Sequence, residues 1–197
     1  MNAPDHKNFK YWIEMIPRVR FSNRFTVSLT VFFEKNLNDF GWVDTQFDSL
    51  ATPYIYFGRR DVTTINNILS AVYNFSTKAS LNLRIRHYWS QADYFDFYTL
   101  NTEGKLTPGD YSMNPDINFN AFTADLQFTW NFAPGSELSV VWKNSINTQQ
   151  NLLEDDYFNN FSNMIGAPQS NSFSLKVLYY LDYLSLKKLF SRKKPEI

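Results

Sequence analysis

The chain has 197 residues, no cysteine, and 19 basic and 19 acidic residues. A net charge of zero argues against a nucleic-acid partner, and the lack of cysteine excludes disulfides and thiolate metal sites. Aromatic residues make up 18% of the chain although the mean hydropathy is −0.39, so apolar residues are abundant but interleaved with polar ones. The sequence contains no run of about 18 apolar residues, so it predicts no membrane helix.

Alternation of apolar and polar residues predicts an all-β protein with seven antiparallel strands. In residues 122–132, every even position is apolar and every odd position is polar, which gives one apolar and one polar face. A length of eleven residues suits a tilted membrane-crossing strand of about 9–11 residues. Pro17 must lie at an edge or bulge because it has no N–H. The predicted strands cover residues 10–21, 24–46, 54–75, 79–100, 117–132, 136–148 and 170–184.

Three short loops, at residues 22–24, 76–78 and 133–135, predict the strand register. In each hairpin the counted register places apolar side chains opposite apolar side chains. The predicted pairs are Val19 with Val27, Met15 with Val31, Phe75 with Ala79, Tyr73 with Leu81, Leu69 with Ile85, Trp130 with Leu138, Phe128 with Val140, Leu126 with Trp142, and Asp125 with Lys143.

Longer polar stretches, at residues 46–53, 91–116 and 148–169, predict loops at the opposite ends of the strands. Short turns on one side and long loops on the other are typical of bacterial outer-membrane barrels. Aromatic residues near the strand ends agree with the aromatic girdles of such barrels. The predicted girdle consists of Phe25, Tyr73, Phe75, Trp89, Trp130, Phe132 and Tyr183.

These features predict the C-terminal part, about seven strands, of a larger antiparallel transmembrane β-barrel. Seven is odd whereas bacterial single-chain barrels have even strand numbers, so further strands are expected to precede Met1. Residues 1–9 would then be a lead-in, residues 10–184 the barrel strands and loops, and residues 185–197 a basic periplasmic tail. The expected location is the cell outer membrane, with the lipid bilayer and the missing N-terminal part of the barrel as partners.

The polar face carries charges of both signs that a barrel would turn toward its lumen, where they neutralise one another or select a solute. The predicted lumen-facing network consists of Arg84, Arg86, Asp125, Lys143, Lys176 and Asp182. Because both signs occur together, a structural network is favoured over a selectivity ring.

Two patterns invite a chemical role. His87 and Ser90 could suggest a hydrolase, but three positions along a strand place them on opposite faces. Residues 154–156 are three consecutive carboxylates, which lack the alternate spacing of a calcium loop. The sequence therefore predicts no catalytic residue, no cofactor and no metal.

Five ordered motifs, at residues 57–62, 84–90, 132–138, 168–172 and 177–183, carry a family resemblance. They resemble a Bacteroidota outer-membrane family of unknown function, in which a large C-terminal barrel follows a family-nine carbohydrate-binding module. The resemblance covers residues 10–186. It implies an outer-membrane barrel and, by resemblance alone, a glycan partner. The family offers no catalytic residues to carry over.

A soluble secreted β-sandwich that binds carbohydrate through exposed aromatic residues is the alternative. A sandwich hides its apolar faces between two sheets, and strands of about 5–6 residues are long enough for it. Alternation over eleven residues with aromatic residues at both ends favours the barrel.

Overall fold

The computed structural model describes residues 7–183, which form one antiparallel sheet of nine strands and one helix. The elements are β1 (Phe9–Met15), β2 (Arg18–Arg20), β3 (Phe25–Phe47), β4 (Pro53–Asn74), β5 (Ala79–Leu100), β6 (Leu106–Pro108), β7 (Ile117–Ala133), β8 (Ser136–Gln150), α1 (Tyr157–Ile165) and β9 (Gln169–Leu178). The main strand order is β1-β3-β4-β5-β7-β8-β9, with β2 beside β3 and β6 beside β5. The prediction of an all-β antiparallel architecture is confirmed. Within the described residues the sheet is open, with β1 and β9 at its ends.

The predicted strands correspond to the seven strands of the main order. The last one is shorter than the predicted range of 170–184, because β9 ends at Leu178. Pro17 splits the first of them into β1 and β2, because it has no N–H to donate, while its carbonyl still accepts from Leu29 N at 3.0 Å. The short β6, which pairs with the distal end of β5, lies within a predicted loop. The first six residues of the predicted lead-in and the whole predicted basic tail lie outside the described residues.

The predicted register is confirmed in all three hairpins, including Val19 with Val27, Tyr73 with Leu81 and Asp125 with Lys143. The third turn differs in detail. Ala133 belongs to β7 and pairs with Ser136, with a register shift between Trp130 and Ala133. The turn is therefore Pro134-Gly135, and Gly135 has a φ of 70°, which favours glycine.

The correct register brings apolar side chains into continuous rows across β3, β4, β5, β7, β8 and β9. The first row consists of Phe25, Tyr73, Leu81, Phe128, Val140 and Leu175. The next consists of Val27, Ala71, Leu83, Leu126, Trp142 and Phe173. We call this side of the sheet the apolar face and the opposite side, which carries Arg84 and Asp125, the polar face. Alternation along each strand and register between strands together produce an uninterrupted apolar surface.

The strands β3, β4 and β5 extend far beyond this surface toward the long loops. β3 alone has 23 residues, which corresponds to about 75 Å at about 3.3 Å per residue. Register shifts at Asn36/Asp39, Trp42/Asp44 and Arg59/Arg60 separate the distal part from the regular part. Asn38 at one shift has a φ of 57°, and its N–H donates to Asp61 Oδ1 at 2.8 Å. The bulges bend the strands where the apolar rows have already ended.

Candidate functional site

The polar face holds a depression of about 390 Å³ lined by side chains from β4, β5, β7 and β8. Asp125 is its single carboxylate: Arg86 Nη2 lies 3.3 Å from its Oδ2, and Lys143 Nζ lies 3.8 Å from its Oδ1. Arg84 pairs with Asp125 in the register and lines the same depression. Three cations therefore surround one anion, so the depression has an excess of positive charge.

The other two members of the predicted network are not brought to this depression. Lys176 is exposed on the polar face of β9, where it pairs with Ser139. Asp182 follows the end of β9 and lies outside the sheet. The structure thus joins Arg84, Arg86, Asp125 and Lys143 at the depression, whose lining does not include the other two residues.

The aromatic residues at the short-turn end form contacting groups on the apolar face. The ring centroids of Phe25 and Tyr73 are 6.1 Å apart, those of Tyr73 and Phe75 are 4.9 Å apart, and those of Trp130 and Phe132 are 5.7 Å apart. Tyr73, Phe75 and Trp130 are 39–47% exposed, and Tyr183 beyond β9 is 74% exposed. Exposed aromatic residues therefore cluster along one edge of the apolar rows.

Trp89 departs from the predicted girdle. Its side chain is 5% exposed, and its Nε1 donates to Asn118 Oδ1 at 2.8 Å. The cause is α1, whose Tyr157 ring lies 5.7 Å from the Trp89 ring. Alternation gave the face of Trp89 correctly, but it did not indicate that a helix covers that part of the face.

The helix α1 lies within the predicted loop at residues 148–169, so that prediction is wrong over Tyr157–Ile165. Asp156 caps its N-terminus, because Asp156 Oδ1 accepts from Asn159 N at 2.7 Å. Two sequence signals were present: this capping residue, and the spacing of Tyr157, Phe161 and Met164 on one helical face. Four polar residues in the short helix weakened the periodic pattern.

Asparagine side chains fasten α1 to the apolar face. Asn160 Nδ2 donates to Asn120 Oδ1 at 2.7 Å, and Asn160 Oδ1 accepts from Asn120 Nδ2 at 3.1 Å and from Asn118 Nδ2 at 3.2 Å. Asn118 Nδ2 also donates to Leu152 O at 3.2 Å. All three asparagines are buried, and their amides satisfy one another. We call this set, with His87, Trp89 and Tyr157, the asparagine network.

His87 occupies the centre of the asparagine network. Asn67 Nδ2 donates to the Tyr157 hydroxyl oxygen at 2.8 Å, which leaves that hydroxyl free to donate to His87 Nδ1 at 3.0 Å. His87 Nε2 then donates to Asn120 Oδ1 at 3.2 Å. Burial raises the pKa of Tyr157, which keeps its hydroxyl protonated as this arrangement requires.

The His87–Ser90 pairing of a hydrolase does not form. Both ring nitrogens of His87 are engaged within the asparagine network. Ser90 lies on the opposite face, with its Oγ 3.1 Å from Thr64 Oγ1. The prediction that the His87 and Ser90 side chains lie on opposite faces of the sheet is confirmed.

The carboxylates at residues 154–156 serve the loop itself. Asp156 caps α1, Glu154 Oε1 accepts from Asp156 N at 3.2 Å, and Glu154 O accepts from Gln91 Nε2 at 2.8 Å. Across residues 7–183 there is no group of three or more His, Asp or Glu side chains placed to hold a metal ion.

Several carboxylates lie at the long-loop end of the sheet, beyond the apolar rows. Burial, then proximity to Asp116, Asp61 and Asp155, raises the pKa of Asp93. Arg60 Nε donates to Asp39 Oδ2 at 2.9 Å, which neutralises one other carboxylate of this end. The long-loop end is thus predominantly acidic.

An aromatic depression of about 660 Å³ lies beside β6 and was not predicted. Tyr111 places its ring 5.5 Å from that of Phe97 and 5.2 Å from that of Tyr56, and its hydroxyl donates to Asp44 Oδ2 at 3.2 Å. Asp110 contributes a carboxylate to the same wall. No short-range pattern revealed it, because its lining comes from two separate segments, residues 95–98 and 108–111.

Among the described residues, no helix is long and apolar enough to cross a membrane. A family model described as a domain of unknown function, DUF5916, matches residues 1–190. Comparison with curated proteins and comparison with solved structures both give no match.

Proposed function

The chain belongs to the DUF5916 family of unknown function, and we propose from its geometry that it forms part of the wall of a transmembrane β-barrel in the cell outer membrane. The observation that carries the proposal is the exposed apolar face. On β9, Phe173, Leu175 and Val177 are 77%, 68% and 60% exposed. Apolar patches of this extent mark surfaces that meet lipid or protein, and full burial of such side chains stabilises by roughly 1.5–3 kcal/mol each.

The dimensions of the apolar face suit a bilayer. Residues 122–132 of β7 extend over about 33 Å at about 3.3 Å per residue, or about 25 Å when tilted by about 40°. The apolar band of outer-membrane barrels is about 25 Å tall. The aromatic residues at the short-turn end would lie at one membrane surface, as girdles do.

The unpaired edges of the sheet indicate that the proposed barrel wall needs further strands as a partner. Within residues 7–183, the outer edges of β1 and β9 pair with no other strand. Unpaired backbone groups cost several kcal/mol apiece in lipid, so a membrane sheet must close. Further strands of the same barrel would pair with β1 and β9 and complete the wall around the cationic depression.

The finer proposal is an anchor, channel or uptake component linked to glycan use in Bacteroidota. Its support is the resemblance of the five motifs to a family whose barrel follows a family-nine carbohydrate-binding module. The cationic depression on the polar face supports a channel or uptake role, since that face would line the lumen.

A soluble β-sandwich is the second candidate. It would require another sheet over the apolar face, whereas the described residues form one sheet and α1 covers only the long-loop end of that face. The exposed rows on β9 therefore favour the membrane proposal.

Heat-modifiable gel migration tests the proposal. The chain is refolded in detergent, alone and together with any native flanking sequence, and is also tested in plain buffer. A compact, detergent-dependent species in either form supports a barrel, and compaction only of the longer form indicates a larger barrel. A folded monomer in plain buffer contradicts the membrane proposal and supports the sandwich.

A further inference from the structure

We propose that α1 is an interfacial helix whose outward side inserts into the lipid surface at the long-loop end of the apolar face. This inference rests on the proposed membrane function and deepens it. The occupant of the surface is the bilayer itself: acyl chains around Phe158 and Ile165, with headgroups at the polar residues between them.

The two sides of α1 differ in what they contact. Asn160 and Met164 are buried against the sheet, whereas Phe158 on the outward side is 77% exposed. Ile165 and, just before the helix, Leu152 are also exposed. The nine residues of α1 include no charged side chain. Charged residues normally cover the water-facing side of a surface helix, so their absence beside an exposed phenylalanine indicates a less polar surrounding.

The position of α1 explains why lipid is the occupant. On β5 the uncovered apolar rows run from Ala79 to Ile85, which corresponds to about 20 Å of strand, or about 15 Å after a tilt of about 40°. That is short of the apolar band of about 25 Å. The next residue on this face is His87, and α1 covers it through Tyr157 and Phe161.

The apolar face of β3, by contrast, continues through the row of His87 and one row beyond it, with the residues Phe25, Val27, Leu29, Val31 and Phe33. The outward side of α1 thus supplies apolar side chains at the height where β5 supplies an imidazole and where β7, one row beyond, supplies an amide. At the height of His87, α1 is therefore the element that can extend the apolar surface over β5.

The attachment of α1 is rigid enough to hold Phe158 in place. The asparagine network fixes the inner side, and Asn114 and Asn151 bind each other's carbonyl groups at 3.0 and 2.6 Å where the loop begins. A side chain that is held outward in this way loses little further freedom on entering lipid.

Site-directed fluorescence tests the inference, since the chain has no native cysteine. Phe158→Cys is labelled with an environment-sensitive dye in the folded protein in phosphatidylcholine vesicles, and quenching by lipids with a shallow or a deep spin label is measured. Leu175→Cys reports the apolar rows, and Leu50→Cys, at a position 85% exposed in the β3–β4 loop, reports water.

We expect the label at position 158 to lose most of its emission with the shallow quencher and to be blue-shifted relative to position 50. Ile165→Cys gives the same readout if the first variant folds poorly. If position 175 is quenched while positions 158 and 165 behave like position 50, the interfacial helix is wrong and the membrane wall stands. If position 175 also behaves like position 50, the proposed function itself is wrong.

Discussion

Removal of the Asn160 side chain tests the energetic role of the asparagine network. Asn160→Ala eliminates three side-chain hydrogen bonds to Asn118 and Asn120. Asn118 keeps its hydrogen bond to Leu152 O, and Asn120 keeps its hydrogen bond to His87, which limits the loss of stability. At about 1 kcal/mol net per bond, we expect α1 to lose about 2–4 kcal/mol against local opening.

Hydrogen exchange of the α1 backbone amides measures this local opening, because a helix on the face of a sheet can detach without unfolding the strands. A loss of about 2–4 kcal/mol corresponds to roughly 30- to 700-fold faster exchange. Asn163→Ala is the matched control, since it makes the same substitution at an exposed position of α1. Equal exchange in the two variants would refute the energetic role of the network. Equal acceleration in β5 and β7 would refute independent opening.

Three further predictions concern charged side chains. Asp156→Ala removes the cap to Asn159 N and should cost α1 about 0.5–2 kcal/mol; unchanged α1 amide exchange would contradict this. The pKa of Asp93 is raised, so its contribution to stability is full below the ordinary value of 3.8 and is lost as pH rises through the raised folded value. Asp93→Asn should therefore raise the unfolding temperature near neutral pH but not in acid, and a gain of equal size at both would contradict the assignment. Asp125→Asn leaves its cationic neighbours unpaired and should cost about 0.2–1 kcal/mol at low salt and less at high salt, because the pairs are partly exposed; unfolding temperatures at two salt concentrations check it.

Strand register was predictable because two independent constraints agree. A short turn fixes which residues lie opposite one another, and the alternation fixes which side each residue takes. Trp130 opposite Leu138 satisfies both, as does Tyr73 opposite Leu81. A one-residue slip would have placed apolar side chains opposite polar ones. Even the irregularity at Ala133 leaves the rest of that hairpin in the predicted register.

The helix and its site were not predictable in the same way. Alternation reports the direction of a side chain but carries no information about what covers it, so Trp89 was expected in an exposed aromatic girdle. The cover comes from α1, which lies 70 residues after His87 at the Tyr157 contact. The edge position of β9 was also beyond local reasoning, because its alternation reads like that of any other strand.

The asparagines nevertheless mark a boundary along the rows of the apolar face. The row of Leu83, Leu126 and Trp142 is wholly apolar. In the next row, Asn144 on β8 and Asn171 on β9 follow Ile85 and Ala124. A histidine appears on β5 one row farther, and Asn120 appears on β7 in the row beyond that. Amide side chains suit this height because they can bond both to one another and to a covering helix, whereas leucines there would extend bare apolar surface. The change from aliphatic to amide side chains on one continuous face therefore defines where the exposed apolar rows end and where α1 takes over.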